Sequence, residues 1–392
     1  MTSTKTGTPG HDERLRRWRL VLGGDSDGTG HSLSGEDARM DRALAALYGG
    51  GVPAEGGRRG DLSASAPRAA RWLGDIRRYF PAAVVRVMQK DAIERLDLAR
   101  LLLEPETLRA VEPDVHLVAT LMSLSKVLPE PAREAAREVV RTVVAELERR
   151  LAQRTRAAVR GAVDRAARAH RPRSAAEIDW DRTIRANLRH YLPDHGTVVP
   201  TRLVGYGRGR RAVQREVVLC LDQSGSMAAS AVYAGVFGAV LASLPSLATS
   251  MVVFGAEVVD LTHLLHDPVE LLLGAQLGGG TDIGRALAYC RRLIRRPADT
   301  VVVLISDLFD GGDRGETLRE VAAMTAAGTR VIALLALSDE GAPCYDHDAA
   351  AALAALGVPA FACTPDAFPE LMAAAVEGRD VARWAEAAVM RR

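Results

Sequence analysis

Two regimes of hydrophobic patterning divide the chain. From about Asp12 to about His190, apolar positions recur three and four apart, as in "APRAARWLGDIRRYF", "PAAVVRVMQKDAIERL" and "PEPAREAAREVVRTVVAELERRLAQ". Prolines stand at the starts and ends of these segments, and β-branched alternating runs are missing. That spacing predicts an all-helical domain over residues 1–195, with no fixed-period repeat. Near Thr197 the pattern changes: "TVVPTRLVGY" is β-rich and "GRGRRAVQR" is a polar connector. Residues 196–215 are therefore expected to form a linker with a short β segment.

From Glu216 short apolar runs alternate with longer helical ones. "EVVLCL", "MVVF", "VVVLIS", "RVIALLAL" and "PAFAC" are candidate strands, spaced by "AVYAGVFGAVLASL", "IGRALAYCRRLI", "GETLREVAAMTAAG" and "DAAAALAALG". Such alternation predicts an α/β fold over residues 216–378, a doubly wound and mostly parallel sheet with helices on both faces. "EVVDL", soon after "MVVFGA", predicts one antiparallel edge strand. Residues 379–392 are expected to form a helical tail.

In a sheet of this kind, side chains that do chemistry collect beyond the carboxyl ends of the strands, where the winding reverses. Three polar clusters occupy such positions. Asp222, Ser224 and Ser226 follow the first strand in "LCLDQSGSM", Thr281 precedes a helix in "LGGGTD", and Asp307 follows "VVVLIS". In an extended turn, positions two apart face one way, and Gly225 lets the backbone bend. Three hydroxyls and two carboxylates form an all-oxygen set, suited to Mg²⁺ or Mn²⁺ and poorly suited to zinc. Because Mg²⁺ usually keeps several waters, such a site keeps an open position. Ordinary capping and turn chemistry accounts for D-x-S-x-S alone, but not for three clusters in this order on one sheet.

"DQSGSM", "GGGTDIGRAL" and "VVVLISD" together resemble the metal-ion-dependent adhesion site of von Willebrand factor A (VWA) domains, over about Glu216 to Glu377. The resemblance implies that Ser224, Ser226 and Thr281 supply hydroxyl ligands, while Asp222 and Asp307 ligate directly or through water. It also implies a binding role in which the open position accepts a carboxylate from a partner protein. The whole chain is similar to bacterial cytosolic VWA proteins of the CoxE-like kind, which implies a MoxR-type AAA+ ATPase partner that remodels or matures a client. One departure is "SDLFDGG", where many members have a shorter Thr-Asp-Gly turn, so that Asp310 becomes an extra acid.

Composition narrows the alternatives. A hydrophobic fraction of 48%, a charged fraction of 26% and a formal charge of +2 describe a folded chain with no global field for nucleic acid or an anionic membrane. The polar start lacks the apolar core of a signal peptide, and no apolar run of about 18 residues is evident, so a cytosolic protein without a membrane span is expected. Cys220, Cys290, Cys344 and Cys363 are widely spaced and read as buried free thiols. Catalysis is not expected. A haloacid-dehalogenase phosphatase needs a second acid where Ser224 stands, and neither G-x-S-x-G nor a P-loop is present. The alternatives kept open are a metal-dependent hydrolase and an RNA-binding protein of the Ro type, the latter through the arginines of Arg154–Arg173 and "GRGRR"; a solvated helix face explains those arginines as well.

Two further features read as structural, and a third as a rim that shapes the choice of partner. Asp25, Asp27, Thr29, Gly30 and Glu36 mimic an EF-hand loop, but Thr29 and Ser32 are poor matches and Ser34 with Asp37 reads as a helix start. His263 and His266 lack a third ligand. Asp339, Glu340, Asp346 and Asp348 read as a rim to the same crevice.

Overall fold

The computed structural model describes residues 9–23, 31–48, 66–95, 102–125, 127–168, 178–205, 215–274, 280–338 and 343–389. Two compact units are present, Met1–Val143 and Val144–Arg392.

The first unit contains α1 (Pro9–Leu22), α2 (Gly35–Tyr48), α3 (Ala66–Tyr79), α4 (Ala82–Arg95), α5 (Pro105–Ala110), α6 (Val115–Leu124) and the start of α7 (Glu130–Arg168). Its core gathers Leu73, Ile76, Met88, Leu108, Leu121 and Met122. The Trp72 indole N–H donates to the Ala43 carbonyl at 3.0 Å, tying α3 to α2. Gln89 exchanges two hydrogen bonds with the Glu112 backbone, tying α4 to the segment after α5. Asp114 caps α6 by accepting from the Leu117 N–H. The division between units falls inside α7, whereas the change of periodicity placed a boundary at 195/196. A continuous helix of 39 residues carries no local signal of where its neighbours change.

The second unit opens with a small motif. α8 (Trp180–Ala186) leads into a hairpin of β1 (Tyr191–Leu192) and β2 (Thr197–Val198), antiparallel with Tyr191 opposite Val198. The β-rich reading near Thr197 is thus met by a hairpin whose first strand lies within the stretch expected to be helical.

The main sheet comprises β3 (Arg215–Asp222), β4 (Leu247–Phe254), β5 (Val258–Asp260), β6 (Thr300–Ile305), β7 (Arg330–Leu337) and β8 (Ala360–Cys363), in the order β5-β4-β3-β6-β7-β8. All neighbours are parallel except β4 and β5. The helices are α9 (Ala228–Ala242), α10 (Pro268–Gly274), α11 (Ile283–Leu293), α12 (Arg314–Ala326), α13 (His347–Ala355), α14 (Phe368–Glu377) and α15 (Val381–Val389). Alternation along the strands fills both faces. Val218 and Cys220 of β3 pack with Ile283, Leu287 and Cys290 of α11 and Val321 and Met324 of α12. On the other face lies α9, whose Phe237 ring meets Phe368 of α14 at 4.3 Å.

Every residue of α9 from Ser230 to Leu241 is buried, as expected of a helix that is apolar all round. The stretch Gly225–Ala242 is long and apolar enough by composition to cross a membrane, a run the sequence reading passed over, yet 72% of it is buried inside this unit. Gly235 permits the close approach of α10: a Cβ there would lie 2.8 Å from Leu272 Cδ2 and 3.0 Å from Leu271 Cδ2. From β3 the chain moves to β4 on one side and later to β6 on the other. The winding therefore reverses between β3 and β6, and a crevice forms beyond their carboxyl ends.

Candidate metal centre

The parallel register pairs Leu221 with Ile305, so the next residues, Asp222 and Ser306, emerge side by side. Asp222 is fully buried. Its Oδ1 accepts from the Ser224 N–H at 2.8 Å and its Oδ2 from the Ser306 hydroxyl at 2.7 Å. Ser306 Oγ in turn accepts from the Leu308 N–H at 3.0 Å. Both oxygens of Asp222 are thereby aimed from two strands. Burial pushes the Asp222 carboxyl above the usual carboxylate range; the donors from Ser306 and Ser224 oppose this, while the nearby charge of Asp307 adds to the rise.

Asp307, 5% exposed, accepts from the Ser226 hydroxyl at 2.5 Å through Oδ2 and from the Phe309 N–H at 3.3 Å through Oδ1. Ser226 Oγ lies 3.1 Å from Ser224 Oγ. Asp222, Ser224, Ser226 and Asp307 are thus one hydrogen-bonded set at the switch point. Just after Asp307, Leu308 adopts φ 65° while its side chain is 1% exposed. The left-handed region costs an L-residue about 1–2 kcal/mol. Burying a leucine stabilises by about 1.5–3 kcal/mol, so packing holds this turn against its strain.

Thr281 is half-buried, two residues before α11. Its carbonyl accepts from the Gly311 N–H at 2.9 Å, which fastens the Thr281 loop to the loop after β6 by main chain. A Cβ at Gly311 would stand 3.2 Å from that carbonyl. The extra acid, Asp310, braces the same junction: Oδ1 accepts from the N–H groups of Gly312 and Ile283 at 2.9 and 3.3 Å, and Oδ2 from the Thr317 hydroxyl at 2.9 Å. Ser306 is the functional residue that sequence patterning missed.

The family described as "VWA domain containing CoxE-like protein" matches residues 151–372. The uncharacterized protein YehP of Escherichia coli (strain K12) is 35% identical over 354 residues, covering 90% of this chain and 93% of YehP. The chain belongs to the CoxE-like VWA family. Solved structures with a similar arrangement include a von Willebrand factor type A protein from Catenulispora acidiphila, with 16% identity, 44% of each chain covered and a TM-score of 0.31. The Ro (RSR) protein of Deinococcus radiodurans shares 16% identity over 96% of this chain and 95% of its own, also at a TM-score of 0.31. Likeness at that score carries no weight for function.

Around the VWA site, a cavity of about 250 Å³ adjoins Ser226 and Asp307 and is lined further by Ser230, Leu335, Ser338 and Cys344. Cys344 is the exposed exception among thiols expected to be buried, because it sits in this rim; Cys220, Cys290 and Cys363 are buried. The Asp346 N–H donates to the Asp307 carbonyl at 3.0 Å, so the late acidic segment does reach the crevice. The Asp346 carboxylate itself caps α13 and pairs with Arg314. Asp348 is exposed in the first turn of α13, and Asp339 and Glu340 lie outside the described residues.

The remaining sequence features settle as follows. Among the described residues no three His, Cys, Asp or Glu side chains group to hold a metal, and His263 and His266 are both exposed. Asp25, Asp27, Thr29 and Gly30 lie outside the described residues, while Ser34 directly precedes α2 and Asp37 in its first turn pairs with Arg16 at 2.6 Å. Of the basic stretch, Arg154 is on α7 and pairs with Asp366 at 3.5 Å; residues 169–173 and 207–211 lie outside the described residues.

Proposed function

We propose that this protein is a non-enzymatic, divalent-cation-dependent protein-binding adaptor of the cytoplasm. Asp222, Ser224, Ser226, Thr281 and Asp307 would hold Mg²⁺ or Mn²⁺, leaving a coordination position for an acidic side chain of a partner. The observation that carries this reading is the buried pair Asp222 and Asp307 at the switch point, with the Ser224 N–H on Asp222, the Ser226 hydroxyl on Asp307 and the two serine hydroxyls 3.1 Å apart. Two buried carboxylates in mutual repulsion, set among serine hydroxyls, suit a hard cation. The CoxE-like kinship supports a MoxR-type AAA+ ATPase as the working partner, with the pair remodelling or maturing a client.

Calorimetric titration of Mg²⁺ into the full chain tests the site. Binding is expected for the parent protein and is expected to be lost in Asp222→Ala and Ser224→Ala. Unchanged affinity in both variants ends the proposal. An acidic peptide that binds only with Mg²⁺ present, and whose Glu→Gln form does not bind, would establish the role of the open position.

A further inference from the structure

The α8 motif is built inside out. An amphipathic helix ordinarily turns its apolar stripe inward. Here Thr183 and Asn187 are 0% and 1% exposed, while Trp180, Ile184 and Leu188 are 51%, 44% and 57% exposed. Trp180 and Ile184, four apart on α8, share one face, and Leu188 follows in the short 3-10 turn Leu188–His190 just past the helix. Tyr191, 51% exposed, continues the apolar surface into the hairpin.

The buried polar side has a full complement of partners. The Asn187 amide donates to the carbonyls of Thr183 and Arg202 at 2.6 and 2.8 Å, and its oxygen accepts from the N–H groups of Thr201 and Arg202. The Thr183 hydroxyl accepts from the Val204 N–H at 2.9 Å and donates to the Val204 carbonyl at 3.3 Å. The Asp179 N–H donates to the same carbonyl at 2.8 Å, and the Asp179 carboxylate caps α8. Hydrogen bonds to backbone thus hold the helix against the returning segment 201–204, beside the buried Ile178 that bridges Gly205. The outward side chains are therefore presented on a preformed frame.

Single exposed apolar residues need no explanation, but an ordered row of aromatic and aliphatic side chains on a rigid frame does. We propose that this face docks a helix of a partner protein, one whose apolar stripe is flanked by carboxylates. Charge selects that occupant. From Asp179 to Val204 the motif carries Arg182, Arg185, Arg189 and Arg202 against Asp179, Asp181 and Asp194, a net positive charge in which Arg182 pairs with Asp179 at 3.6 Å and Arg185 with Asp181 at 4.0 Å. An arginine rim repels a second copy of itself and attracts an acidic one. Ile184 and Leu188 fit a helical groove or stripe and offer nothing to a nucleobase, which stacks on aromatic or guanidinium planes. Trp, Tyr and Arg are also the residues on which binding energy concentrates in protein interfaces. The face shares no residue with the oxygen site, so its occupation is not expected to require a cation.

The test uses the full-length protein and fluorescence anisotropy of labelled helical peptides carrying leucines every fourth position, flanked by glutamate or by lysine. The glutamate form is expected to bind at least about tenfold more tightly, equally with Mg²⁺ or with EDTA. Ile184→Ser with Leu188→Ser is expected to weaken it by about tenfold or more without changing the melting temperature, because both positions are exposed. Arg185→Glu with Arg189→Glu is expected to reverse the preference toward the lysine peptide, a gain that misfolding cannot produce. Equal binding of the two peptides, or full binding by the serine variant, overturns the proposal. So does single-stranded RNA binding that Trp180→Ala abolishes while peptides are not discriminated, or a dimer in sedimentation that the serine variant dissolves.

Discussion

At the scale of single residues, Asp222 illustrates how a site can work against the stability of its own fold. Its carboxyl is buried beside Asp307 and is harder to ionise than an ordinary aspartate. Asp222→Asn keeps the shape and the acceptor for the Ser224 N–H, reverses the bond to Ser306 so that the amide donates to the hydroxyl oxygen, and removes the charge. The cation-free variant is expected to melt a few degrees higher than the parent, roughly the shift that about 1 kcal/mol brings in a unit of this size, while losing Mg²⁺ binding. Scanning calorimetry in EDTA reads the first effect and titration the second. Ser306 works differently, because it donates to Asp222 and accepts from Leu308. Ser306→Ala strands a buried acceptor and a buried donor, and urea unfolding should show a loss of about 1–3 kcal/mol. The candidate ligands could be picked out in the sequence because Asp222, Ser224, Ser226 and Asp307 follow apolar strands at short offsets and Thr281 stands just before a helix. Ser306 was not, because it closes "VVVLIS" and its role arises only when β3 and β6 come into register.

Among the elements, the strands of the main sheet were legible for the same reason that they are stable. Runs buried on both faces are continuously apolar, and β5, with its V-V-D alternation, is marked as an edge. What the pattern hid were events without local signature: the unit boundary inside α7 and the inversion of α8, where polar residues supply the core. α9 presents a third case, since its apolar length describes its place at the centre of a fold. Its packing yields a graded prediction. Gly235→Ala presses mainly on the tip of Leu272, and gains about 0.8–1 kcal/mol of helix propensity, so chemical denaturation should find little net change. Gly235→Val forces α10 away and is expected to cost about 1–3 kcal/mol by the same measurement.

For the whole molecule, a cation at the proposed oxygen site would join three distant segments in one bound state. Mg²⁺ should therefore slow amide exchange at residues 222–227, 281–283 and 307–312 together, and stabilise the unit by about 2.7 kcal/mol at a hundred times its dissociation constant. Exchange that slows in only one of these segments would contradict a shared site. The α8 motif adds a different kind of consequence. Thr183 and Asn187 set its backbone, and Trp180, Ile184 and Leu188 meet the outside, so the letters that spell its shape and those that spell its affinity are separate. Over evolutionary time such a surface can be retargeted one side chain at a time, and relatives that preserve the threonine and asparagine are free to diverge in whom they greet.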